Sequence, residues 1–240
     1  MAVNEIFQYS IISALMDGVA SKGLPISSLV SQGDHGLGTF ERMRGEMILV
    51  DGKVFQMRSD GTVVPYDSAE DLAKISPFAT VTRFQATSTI KTLIPSKEGL
   101  SDLVTRLLPE NKNRFTAIRI DGLFKEVRVR TAAGQTFPHE GLIDVGKNQA
   151  ENVFQKVRGT VIGFRGPSYV MGLNVVGDHL HFITQDRKHG GHILGIESEG
   201  EAELAVAPIS KVHLELPVGD EEFDTAPLVG DAQGIAAVEG

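Results

Sequence analysis

From Gly38 onward, short runs of apolar and polar residues are punctuated by turn residues, which is the pattern of strands rather than helices. Glu46–Val50 and Val54–Arg58 flank Asp51-Gly52-Lys53, a tight hairpin signal, and Asp60-Gly61 supplies a turn before Thr62–Tyr66. Thr80–Phe84 reads as a further strand, and Phe115–Ile120 with Leu123–Thr131 as a second hairpin about Asp121-Gly122. After the polar stretch Gly146–Glu151 come Thr160–Phe164, Ser168–Val175, His179–Thr184, His192–Glu197, Glu203–Ala207 and Lys211–Leu216. Helical spacing marks two segments: Asn4–Met16, stopped by Asp17-Gly18, and Ser96–Leu108, stopped by Pro109. These elements predict an α+β fold. Residues 1–150 form a mixed, mostly antiparallel sheet domain with helices, and residues 151–240 a β-barrel-like domain. The tail from Pro217, rich in Gly, Ala and acidic residues, has by composition the character of a disordered end.

The candidate chemistry sits in the second half. Four of the seven histidines fall between His179 and His192. In a strand, side chains at i and i+2 point the same way with Cα atoms roughly 6.5–7 Å apart, so His179 and His181 can converge on one ion. The polar turn Thr184–Gly191 folds the chain back and brings His192 alongside them. Three neutral imidazoles leave coordination positions open, the usual arrangement of a catalytic metal. A lone His-x-His pair is more often simply packed or hydrogen-bonded; the third histidine after Gly190-Gly191 shifts the reading toward a ligand set. His189 lies in the turn itself and reads as solvent-facing or supporting, and His35, His139 and His213 are isolated.

Two further features carry charge where a core is expected. In the hairpin Glu46–Arg58, pairing puts Glu46 on the face of Ile48, Val50, Phe55 and Met57, while Met47, Leu49 and Val54 occupy the other. A carboxylate in a hairpin apolar on both faces costs several kcal/mol unless it is paired or binds a metal. Glu46 is therefore a candidate ligand, against the alternative of a strand-end side chain reaching solvent past Gly45. The Asp121-Gly122 hairpin places Arg119, Glu126, Arg128 and Arg130 on one side. That side either faces water or lines a site for a carboxylate, which guanidinium binds bidentately.

Composition narrows the partners. With no cysteine among 240 residues, any metal is held by His, Asp, Glu or water. A formal net charge of −8 argues against nucleic acid or an anionic membrane, both of which reward clustered Lys and Arg. No secretory-type leader and no run of 18 apolar residues is visible, so a cytoplasmic protein with a small-molecule substrate is expected.

The motif series resembles bacterial acetolactate decarboxylases along nearly the whole chain. It runs from Gly33-Asp34-His35-Gly36-Leu37-Gly38-Thr39-Phe40, Gly45-Glu46 and Pro77-Phe78-Ala79-Thr80 to Gly159-Thr160-Val161-Ile162-Gly163-Phe164-Arg165, Gly172-Leu173-Asn174-Val175, His179-Leu180-His181-Phe182 and Asp186-Arg187 through His192. The resemblance implies decarboxylation of (S)-2-acetolactate, a small 2-hydroxy-3-oxo acid, to (R)-acetoin, with Zn2+ as Lewis acid and no organic cofactor. It implies zinc bound by His179, His181 and His192, with Glu46 as a metal-site carboxylate and Thr39 as a pocket residue that contacts substrate. Family members end in a glutamate that folds back to the metal; Glu239 matches it, which sets the tail against its disordered composition. An arginine of the second hairpin contacts substrate in the family, Arg130 being the first choice and Arg128 the second. A homodimer is expected by the same resemblance. His35 stands where the family usually has an aromatic residue, and Phe137-Pro138-His139 replaces a Pro-Tyr pattern. Two rival readings are a cupin-type metalloenzyme, whose histidine spacing fits less well, and a binding protein with structural histidines, which predicts no stoichiometric metal.

Overall fold

The computed structural model describes residues 2–229 and 234–235. Two sheets carry the fold. The strands are β1 (Ile6–Tyr9), β2 (Leu24–Pro25), β3 (His35–Thr39), β4 (Glu46–Val50), β5 (Lys53–Met57), β6 (Val63–Tyr66), β7 (Ile75–Ser76), β8 (Ala79–Thr82), β9 (Ser88–Leu93), β10 (Phe115–Thr131), β11 (Ala150–Gly166), β12 (Gly177–Thr184), β13 (Gly190–Ser198), β14 (Glu201–Ile209) and β15 (Val212–Glu215). The first sheet is seven-stranded, in the order β15-β1-β8-β3-β4-β5-β6, antiparallel except for the β1–β15 pair. The second is six-stranded, in the order β11-β12-β13-β10-β14-β9, and β2 with β7 forms a small ribbon. The α-helices that lie wholly within the described residues are α1 (Ile12–Met16), α2 (Ile26–Gln32), α3 (Ala69–Ala73), α4 (Lys97–Leu107), α5 (Leu142–Lys147) and α6 (Glu221–Thr225). The expected α+β character is present, with mostly antiparallel sheets.

The expected barrel is not. β11 pairs with β12 and also with β10, but from β10 the sheet runs outward through β14 to β9, which among the described residues pairs with β14 alone and leaves an edge. Closure depends on which strands meet, and strand patterning in the sequence is the same for an open sheet as for a barrel. β9 and β10, which precede residue 150, belong to the second sheet, and β15 returns to the first.

Three local expectations are also corrected. Asn4–Met16 is a strand followed by the short α1 rather than one helix, because the backbone of β1 is taken up on both sides by β15 and β8. Asp121-Gly122 is not a turn: β10 runs straight through it for 17 residues. Gly122 stands opposite Gly159, and a Cβ on it would lie 2.7 Å from the Cβ of Ala202, so the glycine serves close strand approach. Ser168–Val175 opens with a 3-10 turn at Ser168–Val170 after Pro167, not a strand.

α4 follows its sequence signals. Ser96 Oγ accepts from Gly99 N at 3.0 Å as the N-cap, and Arg106 lies in the last turn. Its apolar stripe buries Leu100 and Val104 against Ile118, Val127 and Ile193 of the second sheet, roughly 1.5–3 kcal/mol for each side chain. Among the described residues, no helix is long and apolar enough to cross a membrane.

Candidate metal centre

Strand register builds the centre. His179 and His181 share one face of β12, and β13 runs antiparallel so that His192 stands directly opposite His181. On the far side of β13, Arg130 of β10 is the register partner of His192. The ligand nitrogens of the three histidines lie within 4.8 Å of one another, and all three side chains are buried. His181 Nδ1 donates to the Met47 carbonyl of β4 at 2.8 Å, a bond that ties the two sheets together and fixes the tautomer. Nε2 therefore carries the lone pair; it is buried, makes no hydrogen bond among the described residues, and lies 3.6 Å from Glu46 Oε2. Burial pushes the His181 pKa down to about 3, opposed by the Met47 carbonyl and helped by the Arg130 charge. Burial also holds His179 and His192 well below the ordinary histidine range, with the neighbouring positive charge of Arg130 acting the same way. All three are neutral imidazoles at pH 7, the form that binds a metal.

The first sheet supplies the carboxylate. Both faces of the β4–β5 hairpin are buried: Ile48, Val50, Phe55 and Met57 pack with Ile162 and Ile183, while Met47, Leu49 and Val54 pack with Phe40 and Val81. Glu46 opens β4 opposite Thr39 of β3 and is 8% exposed, so it does not reach out to solvent. Gly45, at φ +84, lets the chain turn in just before it; an added Cβ would sit 2.4 Å from the Met57 carbonyl oxygen. Thr39 Oγ1 donates to the Gly45 carbonyl at 2.8 Å, and Gly45 N donates to the Ala132 carbonyl at 3.1 Å. The Ala132 amide in turn faces Glu46 Oε1 at 3.4 Å, and Arg130 Nη1 lies 3.8 Å from the same oxygen.

The two arginine choices separate clearly. Arg130 is 2% exposed and lies against the centre, whereas Arg128, two residues earlier on the same strand, is exposed. His189 is exposed, with Nδ1 3.2 Å from the Gly61 carbonyl. His35 is buried between Phe84 and Phe164, and His139 and His213 are exposed. Glu239 lies outside the described residues. A cavity of about 30 Å³ adjoins the cluster, lined by Thr39, Glu46, Arg130 and His179 on one side and by Ile12, Leu15, Phe78 and Leu142 on the other. That apolar wall and the Met47 carbonyl were not foreseen from sequence: helical spacing placed Ile12 and Leu15 on a buried face without saying what they covered, and a backbone acceptor leaves no residue signature.

The donor set suits a divalent transition metal. It offers imidazole nitrogens and a carboxylate without thiolate, and the buried lone pair of His181 Nε2 is aimed into the cluster.

The family model for alpha-acetolactate decarboxylase matches residues 6–230. An alpha-acetolactate decarboxylase of Methanosarcina mazei is 39% identical over 227 residues, covering 93% of this chain and 76% of that protein. One from Bacillus subtilis is 37% identical over 216 residues, covering 90% of this chain and 82% of the relative. The crystal structure of alpha-acetolactate decarboxylase from Bacillus subtilis strain 168 superposes with a TM-score of 0.91 at 35% identity, covering 98% of this chain and 99% of that one. A Staphylococcus aureus protein described as of unknown function and similar to alpha-acetolactate decarboxylase gives a TM-score of 0.91 at 27% identity, covering 98% of this chain and 100% of that one. With the family model matched over residues 6–230 and the fold superposing over 98% of its length, the chain belongs to the alpha-acetolactate decarboxylase family of lyases.

Proposed function

We propose that the chain converts (S)-2-acetolactate to (R)-acetoin and carbon dioxide, with a zinc ion held by His179, His181 and His192 and with Glu46 beside them. The observation that carries the metal reading is the buried, lone-pair-bearing Nε2 of His181, oriented by the Met47 carbonyl within a cluster of neutral imidazoles. Bound there, zinc supplies Lewis acidity that stabilises negative charge developing on the substrate's ketone oxygen.

The remaining work falls to protein groups. The substrate bears a carboxylate on a carbon that also carries a hydroxyl and adjoins the ketone. When the carbon–carboxylate bond breaks, its electron pair passes toward the ketone oxygen, and the same carbon must later accept a proton. Arg130, buried at the cavity wall, fits the carboxylate before it leaves, since its charge is fixed and its fork matches two oxygens. The reaction consumes one proton from solvent, and Glu46, 3.6 Å from His181 Nε2 and 3.8 Å from Arg130 Nη1, is placed to take it up and deliver it to that carbon. Ile12, Leu15, Phe78 and Leu142 offer apolar surface to the methyl groups and keep bulk water from the reacting carbon. Ile235 packs against the same wall. Glu239 is four residues further on, a span of at most ~13–14 Å, which supports it as a second carboxylate of the centre.

The test is incubation of the purified, zinc-loaded protein with racemic 2-acetolactate and resolution of the product by chiral gas chromatography. The expected result is (R)-acetoin with stoichiometric carbon dioxide. A folded, zinc-bound protein that forms no acetoin would assign the centre to another substrate.

A further inference from the structure

β6 and β15 end the first sheet, and β9 ends the second. The outward backbone groups of an end strand invite another strand, and proteins ordinarily blunt them with proline or lysine. β6 carries Pro65 and β9 carries Lys91. β15 carries neither. Among the described residues it pairs with β1 alone, and Val212, Leu214 and the following Leu216 are 46%, 37% and 44% exposed. Val212 and Leu214 share the sheet face of Ile6 and Gln8, their register partners. Gln8 Nε2 donates to the Leu173 carbonyl at 2.8 Å, which sets a further exposed leucine near that face.

Backbone direction decides what this edge can take. Ile6 N donates to the Lys211 carbonyl at 3.0 Å and Ser10 N to the Glu215 carbonyl at 2.8 Å, so the odd-numbered positions turn toward β1. Peptide groups alternate along a strand, and Val212, Leu214 and Leu216 therefore turn theirs outward. An antiparallel copy of the same segment, related by a two-fold axis at Leu214, sets Leu214 opposite the partner's Leu214 and Val212 opposite the partner's Leu216. Both members of each pair face outward, so each pair exchanges both backbone hydrogen bonds. His213 then stands opposite the partner's Glu215 at the closer, non-hydrogen-bonded spacing of ~4.5 Å between Cα atoms, where an imidazole N–H meets a carboxylate. Within the chain, among the described residues, Glu215 forms no ion pair that competes with this. Lys211 falls opposite the partner's Pro217, at a position that needs no donor. Moving the axis destroys the match: at Val212 it sets His213 against the partner's Lys211, and at Leu216 it sets Glu215 against the partner's Pro217.

We infer that β15 is a self-complementary docking edge, on which a second copy of this chain adds its own β15 antiparallel about Leu214 and continues the first sheet across the pair.

Sedimentation velocity of the zinc-loaded protein over a micromolar concentration range tests it. The wild type should sediment as a dimer. Leu214→Pro removes an outward N–H and none of the bonds to β1; it should weaken association at least tenfold while acetoin formation and the circular-dichroism spectrum stay as in the wild type. Glu215→Lys sets lysine against the partner's His213 and should weaken association roughly tenfold, and the swap His213→Glu/Glu215→Lys should restore it, a rescue that depends on this register. The charge swap decides the matter even if Leu214→Pro fails to fold. A monomeric wild type overturns the inference; so does a dimer that survives Glu215→Lys, or a swap that leaves the chain monomeric.

Discussion

Replacing His35 with Phe should flatten the acid limb of the stability curve. The imidazole is 2% exposed, stacks on Phe84 with centroids 4.8 Å apart and meets the edge of Phe164 at 5.4 Å. Burial pushes its pKa down to about 4, against the opposing pull of the Gly163 carbonyl. In an unfolded chain the same ring titrates near ~6.5. Between those two values the unfolded chain binds a proton that the folded chain refuses. The group costs almost nothing at pH 7.5; its penalty grows as pH falls through the unfolded value and levels off below the folded one. At pH 4.5, linkage puts that penalty at about 2.5 kcal/mol, or roughly 5–10 °C in Tm for a chain of this size. The phenyl ring of the variant keeps the stacking and cannot titrate. It gives up the Nε2 contact to the Gly163 carbonyl at 3.3 Å, a loss of about 1 kcal/mol at any pH. Thermal unfolding of both metal-free proteins, followed by circular dichroism at pH 7.5 and pH 4.5, isolates the difference. The acid-induced drop in Tm should be smaller in the variant by that 5–10 °C, whatever its Tm at neutral pH; equal drops in both proteins would refute the reasoning.

Arg130→Lys should lower kcat/KM for acetolactate by roughly a hundredfold, because a point charge replaces a two-pronged donor at a buried site. Arg128→Ala, at an exposed position two residues earlier on the same strand, should stay near wild type, and steady-state kinetics of the pair separates the two positions. Gly45→Ala forces a side chain into a φ of +84 and against the Met57 carbonyl, and should cost roughly 1–3 kcal/mol in urea unfolding. It should also depress turnover by shifting Glu46, and wild-type stability together with wild-type turnover would contradict that geometry.

The histidine cluster was legible because strand periodicity is local: i and i+2 share a face whatever the sheet does next, and a polar turn brings the following strand back. Glu46 was legible for a related reason, as a charge at the start of a hairpin apolar on both faces. Closure of the second sheet was not, since β10 divides its partners between β13 and β14, and such pairings are non-local. Asp121-Gly122 misled because glycine serves both tight turns and close strand approach, and the sequence around it is the same for either. The first strand escaped because its apolar spacing over Ile6 and Tyr9 matches a helix, while the parallel pairing with β15 that settles the matter lies some two hundred residues away. The choice between Arg128 and Arg130 required the structure: side chains two apart on a strand share a face, and only the position of the first sheet over the end of β10 covers one and leaves the other in water.

The most direct measurement is a titration of Zn2+ into chelator-stripped protein with acetoin formation from 2-acetolactate as the readout, run beside His181→Ala. Turnover should rise linearly and break at one zinc per chain, while the variant stays flat across the same range. Full turnover before any zinc is added, or a variant that tracks the wild type, would contradict a metal-dependent decarboxylase built on these three histidines.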